Sequence, residues 1–397
     1  MKRAIAFIVT IFILSTPFSA FATEEASIYP YETTIAEYWF APAATEYSGG
    51  EAKAQLLMEY STGKVLFAQN EYDHLPIASV TKVISTLLVM EALDSGKIAL
   101  SDEVTVSEHA ASMGGSQIFL EAGETMSVED LLKSVIVVSA NDATVALGEY
   151  INGSEEAFIS AMNDRARELG CENSNFVNTN GLPEEGHYSC AYDIALITRE
   201  LMKHEKVFEY TGIWMDTIRN GTFGLANTNK LIRFYKGATG MKTGFTSEAK
   251  YCLSGTAKRD NMQLIAVVLG AETSDKRFSA AKSMFECGFA NYSVTTPELP
   301  TLGSIKVERG VAESVPLTAK PIDILTEKGE NSKLELKPVL KDNLKAPVET
   351  GAEAGYLAYL KNGTEIARTP IVTSEAVNKA SYFSILGEIF KSLLGKK

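Results

Sequence analysis

Histidine is scarce in this chain. There are four among 397 residues, and none falls in a His-x-His or His-Glu-x-x-His pattern. A zinc hydrolase is therefore not expected, because such a metal needs clustered imidazole, thiolate or carboxylate ligands. Cysteine is equally sparse: Cys171, Cys190, Cys252 and Cys287 stand at spacings that match no metal motif. No metal or cofactor is expected. Positive charge is in deficit, with 37 Lys and Arg against 50 Asp and Glu and a net charge of −13. That balance argues against nucleic acid as a partner. The apolar run from Ala4 to Leu14 is too short to span a bilayer comfortably.

What is present at the N-terminus is the outline of an export signal. Lys2-Arg3 precede the apolar run, Ser15-Thr16-Pro17 break it, and Ala20-Phe21-Ala22 supply a small-x-small cleavage pattern. Residues 1–22 read as a signal peptide and residues 23–50 as a mobile leader. No cysteine lies near the cut, which argues against a lipoprotein. Export permits disulfides, and four cysteines allow three pairings. Cys171 and Cys190 flank one loop and could bridge it. Cys252 and Cys287 sit in apolar runs and read rather as buried free thiols.

The tetrad Ser-x-x-Lys occurs four times, at Ser61/Lys64, Ser79/Lys82, Ser247/Lys250 and Ser279/Lys282. Context separates them. Ser61-Thr62-Gly63-Lys64 reads as a hairpin turn between two apolar runs. Ser247 to Lys250 joins a Gly-containing loop to a strand-like run, and Ser279 to Lys282 reads as a solvated helix face. Only Ser79 opens a long apolar run, Val80 to Met90, of the kind that forms a buried helix. Residues i and i+3 on a helix meet, so the two heads would touch. The helix start would bring free N–H groups and a positive dipole end to the serine. A lysine enclosed there is driven towards its neutral form and can take the hydroxyl proton.

Two further motifs occur once each. Ser127-Val128-Glu129-Asp130 predicts a capped helix that runs to Ser139-Ala140-Asn141-Asp142, where one helix ends and another begins. Ser139-x-Asn141 is the only Ser-x-Asn in the chain. Lys242-Thr243-Gly244 is the only Lys-Thr-Gly, and its glycine would let a strand edge approach a ligand closely. Each motif also has a plain structural reading, as a helix break and as a turn. Lys250 to Thr256 and Met262 to Leu269 read as a pair of strands. Beyond residue 296, short β-like runs separated by Gly, Pro and Asn predict a small β-rich domain over residues 296–376. In residues 377–397, Tyr382, Ile385, Leu386, Ile389 and Phe390 share one helical face, and four lysines stand against one glutamate. That segment reads as an amphipathic helix lying on an anionic membrane surface.

Together, and in this order, Ser79-x-x-Lys82, Ser139-x-Asn141 and Lys242-Thr243-Gly244 resemble the penicillin-recognising serine hydrolases. Neighbouring residues narrow the likeness: Pro76 to Lys82, Asn178 to Leu182 with Glu185-Gly186-His187-Tyr188-Ser189, Asn227 to Leu231, and Gly237 to Phe245. Over nearly the whole chain after the leader, the sequence is similar to the D-alanyl-D-alanine carboxypeptidases, the low-molecular-weight penicillin-binding proteins. The resemblance implies an α/β catalytic domain of the DD-peptidase/β-lactamase type over residues 51–295, an antiparallel sheet flanked by helices. A small all-β C-terminal domain and a C-terminal amphipathic helix complete the layout. It implies a Ser79 nucleophile, a Lys82 base and a Ser139 that relays a proton to the leaving D-alanine. Asn141 would orient Lys82 and the substrate amide, and Lys242 and Thr243 would hold the terminal carboxylate. Gly244 would belong to the substrate-binding strand edge, and the N–H groups of Ser79 and Phe245 would form the oxyanion hole. Arg277 would help with the carboxylate.

The sequence departs from some relatives in carrying Phe245 after Lys-Thr-Gly, where histidine stands in those chains. It also lacks Glu-x-x-Leu-Asn, with which class A β-lactamases position a deacylating water, so a β-lactam should acylate Ser79 and leave slowly. The implied enzyme removes the terminal D-alanine of peptidoglycan stem pentapeptides on the outer face of the cytoplasmic membrane. β-Lactams would be its covalent inhibitors. Two alternatives share these motifs: a transpeptidase or β-lactamase on the same scaffold, and a non-catalytic wall-binding or β-lactam-sensing protein.

Overall fold

The computed structural model describes residues 47, 49–329 and 334–382. The segment expected to be a signal peptide, nearly all of the expected leader and most of the expected amphipathic tail lie outside the described residues. The N-terminal part is built on five antiparallel strands: β1 (Ala54–Glu59), β2 (Val65–Gln69), β3 (Ala238–Thr246), β4 (Lys250–Arg259) and β5 (Met262–Ala271). Their order across the sheet is β2-β1-β5-β4-β3, so β3, which carries Lys-Thr-Gly, is an edge strand. The Ser61-Thr62-Gly63 turn joins β1 to β2 as the sequence predicts. β4 and β5 pair as expected, Ser254 facing Val267 and Thr256 facing Ile265.

β5 is apolar almost throughout because both of its faces are covered. Successive side chains alternate between faces. Ile265, Val267 and Leu269 therefore join the core beneath the helical region. Leu264, Ala266 and Val268 join a second core that includes Phe278, Met284 and Phe285. Those three come from a helix laid across the other face, Ser274–Asn291. Each fully buried Leu, Ile or Val of these layers contributes roughly 1.5–3 kcal/mol.

Six helices matter for the site: α1 (Lys82–Asp94), α2 (Val128–Val137), α3 (Asn141–Asn152), α4 (Glu155–Glu168), α5 (Ala191–Leu201) and α6 (Ser274–Asn291). α1 is buried on nearly every side, which explains a sequence without a polar stripe. The Ser127 hydroxyl accepts from Asp130 N at 3.2 Å and caps α2, as predicted. Between α2 and α3 the chain turns at Ser139, whose φ is +66°. A non-glycine residue enters that region only at a cost, so the turn is imposed by its surroundings.

The C-terminal part is all β. Six strands form one sheet, among them Glu353–Lys361 and Thr364–Thr373, and Tyr292–Thr295 pairs with Ile324–Glu327. Two small apolar clusters fill it, one around Val307 and Val315, the other around Leu357, Tyr359 and Ile371.

All four cysteines are free thiols. The bridge that Cys171 and Cys190 could have made is absent. Both are buried against the start of α5 instead, Cys171 Sγ 3.6 Å from Asp193 O and Cys190 Sγ accepting from Asp193 N at 3.4 Å. Cys252 is buried as expected, and Cys287 is half-buried.

Candidate active site

Ser79 does not lie on the long helix itself. It sits in a single 3₁₀ turn, Ala78–Thr81, and α1 begins at Lys82. The tighter turn still brings residues i and i+3 together, because 3₁₀ geometry eclipses them. Lys82 Nζ lies 3.1 Å from Ser79 Oγ. It also donates to Asn141 Oδ1 at 2.6 Å and to the carbonyl oxygen of Asn180 at 2.7 Å. Asn141, the first residue of α3, gives its Nδ2 to Gly114 O at 2.6 Å. That bond settles the amide's orientation and turns Oδ1 towards the lysine.

Lys82 is completely buried. Desolvation, and secondarily the nearby charge of Lys242, hold its pKa well below the ordinary lysine value, against a smaller opposing pull from Asp142. A neutral amine has two N–H groups and one lone pair. The two shortest contacts use both N–H groups, which leaves the lone pair for the Ser79 hydroxyl. Transfer of the hydroxyl proton then needs no rearrangement of heavy atoms.

The opposite wall is β3. A Cβ placed on Gly244 would lie 2.7 Å from Ile77 O and 3.0 Å from both Ser79 N and Val80 N, so the strand edge rests on the serine turn. Only glycine allows that approach. The serine turn and the Lys-Thr-Gly strand edge thus meet. Lys242 is buried, and Nζ donates to Thr243 O at 2.9 Å. Burial, then the Arg277 charge, push its pKa down to about 7. Thr243 Oγ1 donates to Thr228 Oγ1 at 2.7 Å, which ties the strand to the Asn227-Thr228-Asn229 loop. Phe245 is exposed and packs on Tyr251, with ring centroids 4.4 Å apart.

Ser139 Oγ is buried and has no hydrogen-bond partner. It lies two residues before Asn141, on the turn between α2 and α3. Arg277, on α6, is buried behind the strand. Its Nη1 donates to Gly244 O at 3.2 Å and to Cys252 O at 3.1 Å. Desolvation lowers its pKa to about 10. The guanidinium braces the backbone of the Lys-Thr-Gly strand and raises the positive potential around Lys242.

Several contributors have no signature in the motifs. The Asn180 carbonyl is a backbone group, invisible to residue typing, although the Asn178 to Leu182 segment marks its place. Asp142, fully buried, accepts from Ile118 N and Leu120 N at 3.0 and 3.1 Å and ties the 118–120 loop to α3. His187 contacts Thr81 Oγ1 at 2.7 Å beneath the serine turn. Its pKa is pushed down to about 4, by burial and then by Lys82, so the ring is neutral.

Comparison with known proteins agrees with this geometry. Residues 42–273 match the family described as D-alanyl-D-alanine carboxypeptidase, and residues 298–379 match the penicillin-binding protein 5 C-terminal domain. The D-alanyl-D-alanine carboxypeptidase DacF of Bacillus subtilis is 47% identical over 365 residues, covering 87% of this chain and 93% of that protein. The crystal structure of penicillin-binding protein 5 from Haemophilus influenzae superposes with a TM-score of 0.74 at 32% identity, covering 84% of this chain and 99% of that one. Penicillin-binding protein D2 from Listeria monocytogenes, in its ampicillin-bound form, aligns with 62% of this chain and all of its own length (100%), with a TM-score of 0.56 and 32% identity. On the match over its catalytic part and the extent of these likenesses, this chain belongs to the D-alanyl-D-alanine carboxypeptidase family.

Proposed function

We propose that this protein is a serine-type carboxypeptidase that removes the terminal D-alanine from peptidoglycan stem pentapeptides through a Ser79 acyl-enzyme. The observation that carries the reading is the buried, desolvated Lys82 amine 3.1 Å from Ser79 Oγ, on a turn against which the Gly244 strand edge rests. In acylation, Lys82 takes the hydroxyl proton as Ser79 Oγ bonds to the penultimate D-alanine carbonyl carbon. The N–H groups of Ser79 and Phe245 receive the oxyanion, the contribution that is usually largest in acyl transfer. The C–N bond then breaks, and the proton passes from the Lys82 ammonium through Ser139 to the departing D-alanine nitrogen. Water hydrolyses the ester and regenerates Ser79.

In this reading Asn141 aligns Lys82 and the substrate amide. Lys242 and Thr243 hold the terminal carboxylate. Gly244 permits the close approach, and Arg277 contributes to carboxylate binding through the strand it braces and the charge it supplies. A penicillin follows the same first step, as the ampicillin-bound form of the Listeria protein suggests for this scaffold. The 51–295 and 296–376 domain limits are part of the proposal, supported by the two apolar clusters that lie wholly beyond residue 296. So is peripheral attachment of an exported enzyme through residues 377–397. Among the described residues no helix is long and apolar enough to cross a membrane.

The test is mass spectrometry of the intact protein after penicillin, followed by D-alanine release from a diacyl-Lys-D-Ala-D-Ala tripeptide. Wild type should gain one penicilloyl group at Ser79 and release free D-alanine without a cross-linked dimer, and Ser79→Ala should do neither. A wild-type protein that stays unlabelled sinks the reading. For the tail, deletion after Ala376 should free the mature protein from membranes, and unchanged sedimentation would count against the anchor.

A further inference from the structure

The peptide between Ala78 and Ser79 carries two groups that point opposite ways. It is trans, and in a trans peptide the C=O and N–H are antiparallel. Its carbonyl face is filled: Thr81 Oγ1 donates to Ala78 O at 2.9 Å, and a Cβ on Gly181 would lie 2.0 Å from that oxygen. Its N–H face looks at β3, where a Cβ on Gly244 would lie 3.0 Å from Ser79 N. Ala78 holds a φ of +48°, a conformation that costs a non-glycine residue roughly 1–2 kcal/mol and must be maintained by its neighbours.

Behind Thr81 stands His187. Val177 N–H donates to His187 Nδ1 at 3.2 Å, so the ring proton is on Nε2, 2.7 Å from Thr81 Oγ1. Because His187 donates to the threonine oxygen, the threonine's own hydrogen is directed at Ala78 O. The result is a one-way chain from Val177 through His187 and Thr81 to the Ala78 carbonyl. Thr81 is fully buried and His187 nearly so, which removes water as a substitute partner.

We propose that His187 is a positioning residue for the oxyanion site. Acting through Thr81, it fixes the Ala78 carbonyl and so aims the Ser79 N–H at the oxygen of the reacting carbonyl. The inference rests on the acyl-enzyme reading above and extends it to a residue outside the three motifs. A misaimed N–H loses most where negative charge develops, so the penalty falls on the transition state rather than on substrate binding.

His187→Ala frees the Thr81 hydroxyl to rotate. It is expected to lower kcat for D-alanine release, and the rate of acylation by penicillin, by about 10- to 100-fold. KM should stay within about threefold. His187→Gln keeps an N–H donor near the Nε2 position and should recover part of the rate. Thr81→Val, similar in shape without the hydroxyl, should match His187→Ala, and Thr81→Ser should stay near wild type. Folded His187→Ala or Thr81→Val protein that acylates at the wild-type rate, or loses only in KM, overturns the proposal. So does a His187→Gln variant no faster than His187→Ala. If His187→Ala fails to fold, the Thr81→Val and Thr81→Ser pair decides by the same readouts. Failure of the acyl-enzyme reading would look different: wild type itself would take up no penicilloyl group at Ser79.

Discussion

Burial, and then the charge of Lys242, push Lys82 towards its neutral form, and both lysines are buried. In the proposed reaction the pair divides the labour. One lysine must be uncharged to accept a proton, and the other must be charged to hold a carboxylate.

The pH profile should show that division. Lys82 serves only when deprotonated, so acylation should fail as pH falls through its depressed pKa. Lys242 loses its charge as pH rises through about 7 in the free site. The kcat/KM for the tripeptide should therefore decline above about 7. A bound carboxylate favours the charged amine and raises its pKa, so the alkaline limb of kcat should lie higher than that of kcat/KM. Lys242→Arg keeps its charge throughout and should move the kcat/KM limb upwards. Coincident limbs in the two profiles would refute this assignment.

The same lysine should cost stability. Its folded-state pKa, about 7, lies below the ordinary value of 10.5. Between those values the unfolded chain binds more protons than the folded one, so stability rises with pH across that window. Lys242→Met removes the desolvation cost while keeping most of the side-chain volume. It should raise unfolding free energy at neutral pH by roughly 1–4 kcal/mol while D-alanine release collapses. Urea denaturation at pH 7 and pH 10 measures both parts, and the gain should shrink at the higher pH.

Ser139→Ala should separate activity from stability in a second way. The hydroxyl is buried without a partner, so its removal breaks no hydrogen bond. Leaving such a group unsatisfied costs about 1–3 kcal/mol, and the variant should be at least as stable as wild type. Since Ser139 is the proposed proton relay to the leaving amine, its loss should slow D-alanine release by roughly 10²–10⁴-fold. Thermal unfolding and turnover on the same preparation provide the comparison. A variant that loses stability but not rate would reverse the assignment.

The thiols give a check on the covalent framework. Burial raises the pKa of Cys190 to about 12 and of Cys252 to about 11, and pushes Cys171 higher still. Thiolate is the reactive form, so these three should resist a disulfide reagent in the native protein, and only half-buried Cys287 should react. After denaturation without reductant, Ellman's titration should count four thiols. A count of two would restore the bridge between Cys171 and Cys190.

How much of this was legible in the sequence depends on whether a feature belongs to side chains or to the backbone. Asn141 and Lys242 announce themselves because triplets that occur once encode them, and Ser79 and Lys82 because theirs is the only one of four Ser-x-x-Lys tetrads that opens a long apolar run. The edge position of β3 was also readable, since its glycine marks a close approach. The 3₁₀ turn was not, because the 3.6-residue and 3.0-residue periods differ little over one turn. The Asn180 carbonyl could not be found from residue identity. Cys171 and Cys190 flank a loop whether or not they bond, so spacing alone left two outcomes open. Arg277 lies on the helix behind the strand, where sequence placed an arginine but not the Gly244 and Cys252 carbonyls it serves.

Gly244→Ala tests the contact between the two walls directly. The added methyl group would meet Ile77 O at 2.7 Å and Ser79 N at 3.0 Å, both backbone atoms that cannot swing aside. On the other side the strand is held by its pairing of Gly244 with Cys252 and by Arg277 on the Gly244 carbonyl. The edge must therefore back away from the serine turn while its register survives. A shift of about 1 Å between reacting groups costs on the order of 100-fold in rate, so penicillin acylation and D-alanine release should both fall by about that much. The melting temperature should fall by only a few degrees, because the core of the sheet is untouched. Gly224→Ala is the matched control, since nothing lies within 4 Å of its Cβ position. Acylation at the wild-type rate in folded Gly244→Ala would mean that the strand edge takes no part in activating Ser79.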